Sequence, residues 1–94
     1  MSKKVHIVEE PVLETIDGIT SGVRLIIFND DVNTFDHVIE CLVRICDHDI
    51  LQAEQSAVII HYKGKAVVKT GERGELVAMC QALCDEGLSA VIGD

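Results

Sequence analysis

The fold follows from the stretch VRLIIFNDDVNTFDHVIECLVRIC, residues 23–46. Residues 23–28 are apolar except for one arginine, and the length and β-branched content of this run predict a strand. Residues 29–33 form a polar turn, and Thr34 is a good N-cap for a helix with Asp36 in its first turn. Helical spacing then separates the apolar residues Phe35, Val38, Ile39, Leu42, Ile45 and Cys46.

Further helix and strand signals follow towards the C-terminus. Asp49 can cap a second helix, which Gly64 can end, and residues 65–70 alternate weakly, as a strand does. A turn is expected between Gly71 and Gly74, followed by a third helix that Gly87 closes and a last strand over 88–92. The order β-α-α-β-α-β predicts an α+β fold, a three-stranded antiparallel sheet with three helices packed on one face.

Residues 1–21 show no persistent amphipathic period, so the sequence predicts a flexible N-terminal tail (1–21) before a single folded domain (22–94). No apolar run approaches the roughly 20 residues that cross a bilayer, and no signal-peptide core is present. We therefore expect a cytoplasmic protein that does not bind membranes.

The charge of the chain narrows the classes of ligand. Eight basic residues against sixteen acidic residues give a formal net charge of -8. Nucleic acids and anionic membrane surfaces require basic patches, so neither is an expected partner. An acidic protein favours cationic ligands or basic partner surfaces instead.

The cysteines allow an alternative interpretation, a small intracellular metal-binding or redox protein that uses Cys41, Cys46, Cys80, Cys84 and His48. Cys80 and Cys84 lie one helical turn apart and could hold a metal if His37 or His48 joined them. No C-x-x-C spacing occurs, however, and cysteine commonly behaves as a small buried hydrophobe. We expect no metal, no cofactor and no disulfide. No catalytic constellation is present, so we expect no enzyme.

Two motifs suggest a binding site: Asn29-Asp30-Asp31 after the first strand, and His61-Tyr62-Lys63-Gly64-Lys65-Ala66 at the end of the second helix. Together they could offer amide, carboxylate and imidazole acceptors beside an apolar core, which suits the free N-terminus of a peptide with a large apolar first residue. Simpler interpretations are a solvated turn and a core histidine. A calcium loop through Asn29, Asp31, Asn33 and Glu40 is disfavoured because Thr34 occupies the position that needs glycine.

These two motifs, with the helix that begins Phe35-Asp36-His37-Val38, resemble the ClpS family over about residues 23–92. The resemblance implies a monomeric adaptor that recognises N-degron peptides and proteins (N-terminal Leu, Phe, Tyr or Trp) and delivers them to the N-terminal domain of a ClpA-type AAA+ unfoldase in the ClpAP protease.

The resemblance also assigns roles to individual residues. It implies that Asn29, Asp30 and His61 hold the substrate α-amino group, with Asp31 and Asn33 at the rim. The implied hydrophobic pocket comprises Phe35, Val38, Ala57, Ile60 and Leu88. Phe35 and Ala57 stand where the family frequently has methionine, which bears on the shape of the pocket. A ribosomal or other partner-docking module of similar shape is a further alternative.

Overall fold

A computed structural model describes residues 7–8 and 22–93 of the chain. The elements in chain order are β1 (Ile7–Val8), β2 (Val23–Phe28), α1 (Phe35–Cys46), α2 (Ile50–Lys63), β3 (Lys65–Gly71), α3 (Arg73–Asp85) and β4 (Ser89–Gly93). Within these described ranges, no helix has the length and apolar character needed to cross a bilayer.

The sheet has the strand order β1-β4-β2-β3. The central strand β2 pairs antiparallel with both β3 and β4, which confirms the predicted three-stranded antiparallel sheet. The short strand β1 is a fourth, edge strand that pairs parallel with β4 through two residues. The sequence did not predict it, because a two-residue strand has no recognisable pattern. The rest of the predicted tail, residues 1–6 and 9–21, lies outside the described residues.

All three helices pack on one face of the sheet, as predicted. The residues of β2 that face them are Val23, Leu25 and Ile27, at alternate positions. Every helix contributes buried side chains to the same cluster: Cys41, Leu42 and Cys46 from α1, Ala53 and Ile60 from α2, and Leu76, Cys80 and Leu83 from α3. The core is aliphatic, in keeping with an aromatic content of 3%.

The helix ends mostly follow the local signals. The Thr34 hydroxyl accepts a hydrogen bond from the His37 N–H at 3.0 Å, and the Asp49 carboxylate accepts one from the Gln52 N–H at 2.8 Å. Gly64 ends α2 with a φ of 94°. The predicted turn between Gly71 and Gly74 is wrong, because Glu72 caps α3 and Gly74 lies inside that helix.

A β-bulge in β3 contacts the loop between α1 and α2. Leu25 pairs with Lys69 and Ile26 pairs with Val67, so Val68 is an extra residue in β3. The buried His48 donates from Nε2 to the Val68 carbonyl at 2.8 Å. The bulge therefore leaves a backbone carbonyl that a histidine side chain satisfies inside the core.

Candidate functional site

The turn after β2 is organised by the carboxylate of Asp30. Its Oδ1 accepts the backbone N–H groups of Val32 at 3.0 Å and Asn33 at 2.9 Å, and its Oδ2 accepts from the Asn33 side-chain amide at 2.8 Å. The same amide donates to the Gly87 carbonyl at 2.9 Å. The first motif is therefore a fixed turn that is tied to the loop between α3 and β4.

These hydrogen bonds also set the charge of the turn. The Asn33 N–H lowers the pKa of the Asp30 carboxyl, helped by the Asn33 side chain, the Val32 N–H and the Ser89 side chain, while partial burial opposes the shift. Hydrogen bonds to the charged form favour ionisation. Asp30 is consequently a carboxylate at neutral pH, and it lies next to the exposed Asp31.

A backbone hydrogen bond brings the second motif to this turn. The Asn29 N–H donates to the Gly64 carbonyl at 2.9 Å. Gly64 adopts the left-handed conformation, and its own N–H donates to the Ile60 carbonyl, so the chain leaves α2 directly beside the end of β2. The sequence motifs around Asn29 and His61 thus meet in space.

His61 itself lies on the surface, which removes the interpretation of a core histidine. Its ring meets the Phe35 ring edge to face, with centroids 6.2 Å apart, and the Tyr62 ring, with centroids 5.2 Å apart. An aromatic side chain at the start of α1 and an imidazole near the end of α2 therefore form one continuous surface.

The five predicted pocket residues differ in exposure. Phe35 is 44% exposed and Val38 is half-buried against the core. Ala57, Ile60 and Leu88 are buried. Phe35 and Val38 therefore carry the accessible apolar surface, whereas Ala57, Ile60 and Leu88 expose almost none.

Sequence reasoning assigned no role to two exposed apolar side chains, one beside the first motif and one within the second. Val32 is 82% exposed in the turn after β2, and Tyr62 is 79% exposed beside His61. An apolar residue inside an otherwise polar turn is the signal that could have identified Val32. Large exposed apolar groups next to polar acceptors are typical of surfaces that bind peptides.

The alternative based on the cysteines is not supported by their arrangement. All four thiols are free, and His48 donates to Val68 in the core. Within the part of the chain that the structure describes, the one group of three metal-ligating residues is His37, Glu40 and Cys41, which includes none of Cys46, Cys80, Cys84 and His48. The calcium interpretation is weakened as well, since the Asn33 side-chain amide donates to the Asp30 carboxylate and to the Gly87 carbonyl.

Comparison with known proteins supports the resemblance to the ClpS family. The sequence model of the family described as "ATP-dependent Clp protease adaptor protein ClpS" matches residues 20–91. The ATP-dependent Clp protease adapter protein ClpS of Sodalis glossinidius is 33% identical over 76 residues, covering 79% of this chain and 71% of that protein. The ClpS protein of a Nostoc species is 32% identical over 92 residues, covering 95% of this chain and 93% of its own.

A solved structure has the same fold. Agrobacterium tumefaciens ClpS2 bound to L-phenylalaninamide superposes with a TM-score of 0.73 over 76% of this chain and 93% of that chain, at 19% identity. The family model covers well over half of the sequence, which confirms the resemblance noted from the motifs. The chain belongs to the ClpS family of ATP-dependent Clp protease adaptor proteins.

Proposed function

We propose that this protein binds N-degron substrates through their free α-amino group and first side chain, and presents them to the N-terminal domain of a ClpA-type AAA+ unfoldase. The N-terminal residue of these substrates would be Leu, Phe, Tyr or Trp. We further propose that it acts as a monomer in the cytoplasm, as an adaptor and not as an enzyme. Membership of an adaptor family of the Clp protease supports the general role.

The observation that carries the proposal is the meeting of the two motifs. The Asn29–Gly64 hydrogen bond joins them, and the Phe35–His61 contact places an imidazole against an apolar ring. Polar acceptors and an exposed apolar surface are thereby combined at one place, which is what a cation attached to an apolar group requires.

The polar half of the site suits an ammonium group. An α-amino group has a pKa near 7.7–8.0, so it is mostly charged at neutral pH and offers three donors. Asn29, the ionised Asp30 and His61 supply acceptors. Three hydrogen bonds already occupy the Asp30 carboxylate, so its contribution is chiefly its negative charge and the fixed turn. Asn29 and His61 are then the acceptors that remain accessible at the surface.

The apolar half selects the first side chain. Phe35 and Val38 can contact it, whereas Ala57, Ile60 and Leu88 expose almost none of their surface. The ligand of the Agrobacterium protein, L-phenylalaninamide, combines a free α-amino group with an aromatic side chain, and the proposal extends that chemistry to this chain. Asp31 and Asn33 are proposed as the rim that the following peptide residues would contact.

The expected affinity is moderate. A charge-assisted hydrogen bond contributes about 1.5–3 kcal/mol, and burial of a Leu or Phe side chain contributes about 1.5–3 kcal/mol. Their sum is far below the roughly 12 kcal/mol of a nanomolar complex. Weak, reversible binding suits an adaptor that must release its cargo to the unfoldase.

A panel of labelled peptides that differ only in their first residue tests the proposal. Peptides that begin with Leu, Phe, Tyr or Trp should bind at least about tenfold more tightly than those that begin with Ala or Asp. Phe35→Ala should reduce that preference, whereas Val77→Ala, on an exposed part of α3, is the matched control that should not. Equal affinity across the panel would contradict the proposal.

A further inference from the structure

Three metal-ligating side chains lie together on α1, and neither the family nor the proposed adaptor function accounts for them. His37, Glu40 and Cys41 are separated by three and four residues, so they are neighbours on one face of the helix. Their donor atoms lie within 4.8 Å of one another.

The imidazole and the thiol are already spaced as ligands of one ion. His37 Nε2 lies 3.7 Å from Cys41 Sγ. A nitrogen and a sulfur bound to the same tetrahedral zinc ion, at ordinary bond lengths, are about 3.5 Å apart.

The C-terminal end of α3 also contacts this cluster. The Glu86 carbonyl oxygen, at the end of α3, lies 3.0 Å from His37 Nε2. The Glu86 carboxylate reaches Arg44 at 3.5 Å, and Arg44 in turn binds Glu40 at 3.3 Å. The cluster is therefore built from two helices, with a backbone oxygen available as a further ligand or as a hydrogen-bond partner.

Burial and charge also favour a cation here. Cys41 is fully buried, whereas the side chains of His37 and Glu40 are 31% and 60% exposed, so the cluster opens to solvent on one side. Two carboxylates, those of Glu40 and Glu86, lie beside the cluster, and Arg44 is the cation that pairs with both. A divalent cation would stabilise the thiolate and offset the two carboxylates at once.

We propose that His37, Glu40 and Cys41 form a binding site for a transition-metal dication of the zinc class, with the Glu86 carbonyl or water completing the coordination. One thiolate, one imidazole and one carboxylate are the ligands that zinc uses in proteins. Thiolate and imidazole together disfavour calcium and magnesium, which select oxygen ligands.

Cobalt titration of the reduced full chain tests the site, because cobalt(II) replaces zinc and its bond to a thiolate gives a near-ultraviolet charge-transfer band. The wild-type protein should develop this band, and zinc should abolish it. Cys41→Ala should eliminate the band. Cys84→Ser is the matched control that should keep it, since the Cys84 thiol donates to the Ala90 carbonyl instead.

Surface variants keep the test independent of folding. His37→Gln and Glu40→Gln change partly exposed side chains and should each weaken cobalt binding by about tenfold or more. Arg44→Met removes the cation that competes for Glu40 and should tighten binding roughly two- to fivefold. The absence of a band in the wild type, or a band that persists in Cys41→Ala, would overturn the proposal.

Discussion

The rings of Phe35 and His61 meet edge to face with their centroids 6.2 Å apart, although one residue begins α1 and the other lies near the end of α2. The contact depends on two local features, the Thr34 cap that starts α1 and the glycine that ends α2. An apolar side chain and a polar acceptor are therefore in direct contact at the surface.

Replacement of His48 should destabilise the fold, whereas replacement of His61 should hardly affect it. His48→Leu leaves the Val68 carbonyl without its partner in the core, so we expect a loss of about 1–3 kcal/mol in the free energy of unfolding. His61→Leu changes an exposed side chain and should alter it by less than about 0.5 kcal/mol. Urea denaturation measures both. If His61→Leu were the more destabilising change, the roles assigned to the two histidines would be reversed.

The conformation of Gly64 should be necessary for stability. A β-carbon at φ 94° is strained, and the cost of about 1–2 kcal/mol is only partly offset by the lower entropy of the unfolded chain, so Gly64→Ala should destabilise by about 1 kcal/mol. Asp47→Gly is the converse change at φ 58° and should not destabilise. The melting temperatures of the two variants and the wild type test this. A Gly64→Ala protein as stable as the wild type would show that the backbone at residue 64 can relax to another conformation.

Asp30 should make stability depend on pH. The pKa of its carboxyl is lower in the folded protein than its ordinary value of 3.8, so its stabilising contribution is complete above that value and is lost as the pH falls through the folded pKa. Asp30→Asn should therefore be less stable than the wild type at neutral pH, and the difference should shrink at about pH 3. Chemical denaturation at both pH values checks this, and a difference that does not change with pH would exclude a charge effect.

The first 21 residues should be needed for delivery more than for binding. Residues 22–93 contain the proposed peptide site and its supporting hydrogen bonds. A chain that begins at Gly22 should bind a Phe-peptide as the full chain does, yet fail to accelerate degradation of an N-degron reporter by the partner protease. Both assays belong on one preparation, with circular dichroism as the control for folding. Undiminished delivery would place the unfoldase contact on the folded domain instead.

Local signals made much of the fold predictable. Thr34, Asp49 and Gly64 each mark a helix end through a hydrogen bond or a backbone conformation that depends only on nearby residues. The turn predicted between Gly71 and Gly74 was wrong because Glu72, an uncommon N-cap, starts α3 before Gly74. The Val68 bulge was not predictable, since it depends on His48, which is distant in sequence.

The adjacency of the two motifs could be expected from the sequence, whereas the burial of the individual residues could not. The two motifs meet as expected through Asn29 and Gly64. Ala57 lies on α2 and Leu88 in the connection between α3 and β4, and their burial depends on tertiary packing that no local pattern reveals. His37 and Cys41 are one helical turn apart on α1, a spacing that the sequence alone contains. The Glu86 carbonyl beside them is a tertiary contact.

A thermodynamic cycle tests the central claim, that the protein binds a free α-amino group beside His61. The dissociation constants of a Phe-peptide and its N-acetylated form are measured with the wild type and with His61→Ala, because Asp30 variants would also disturb the turn. Acetylation should weaken binding to the wild type by about 10–100-fold, and by clearly less in the variant. Equal binding of both peptides to the wild type would contradict the account.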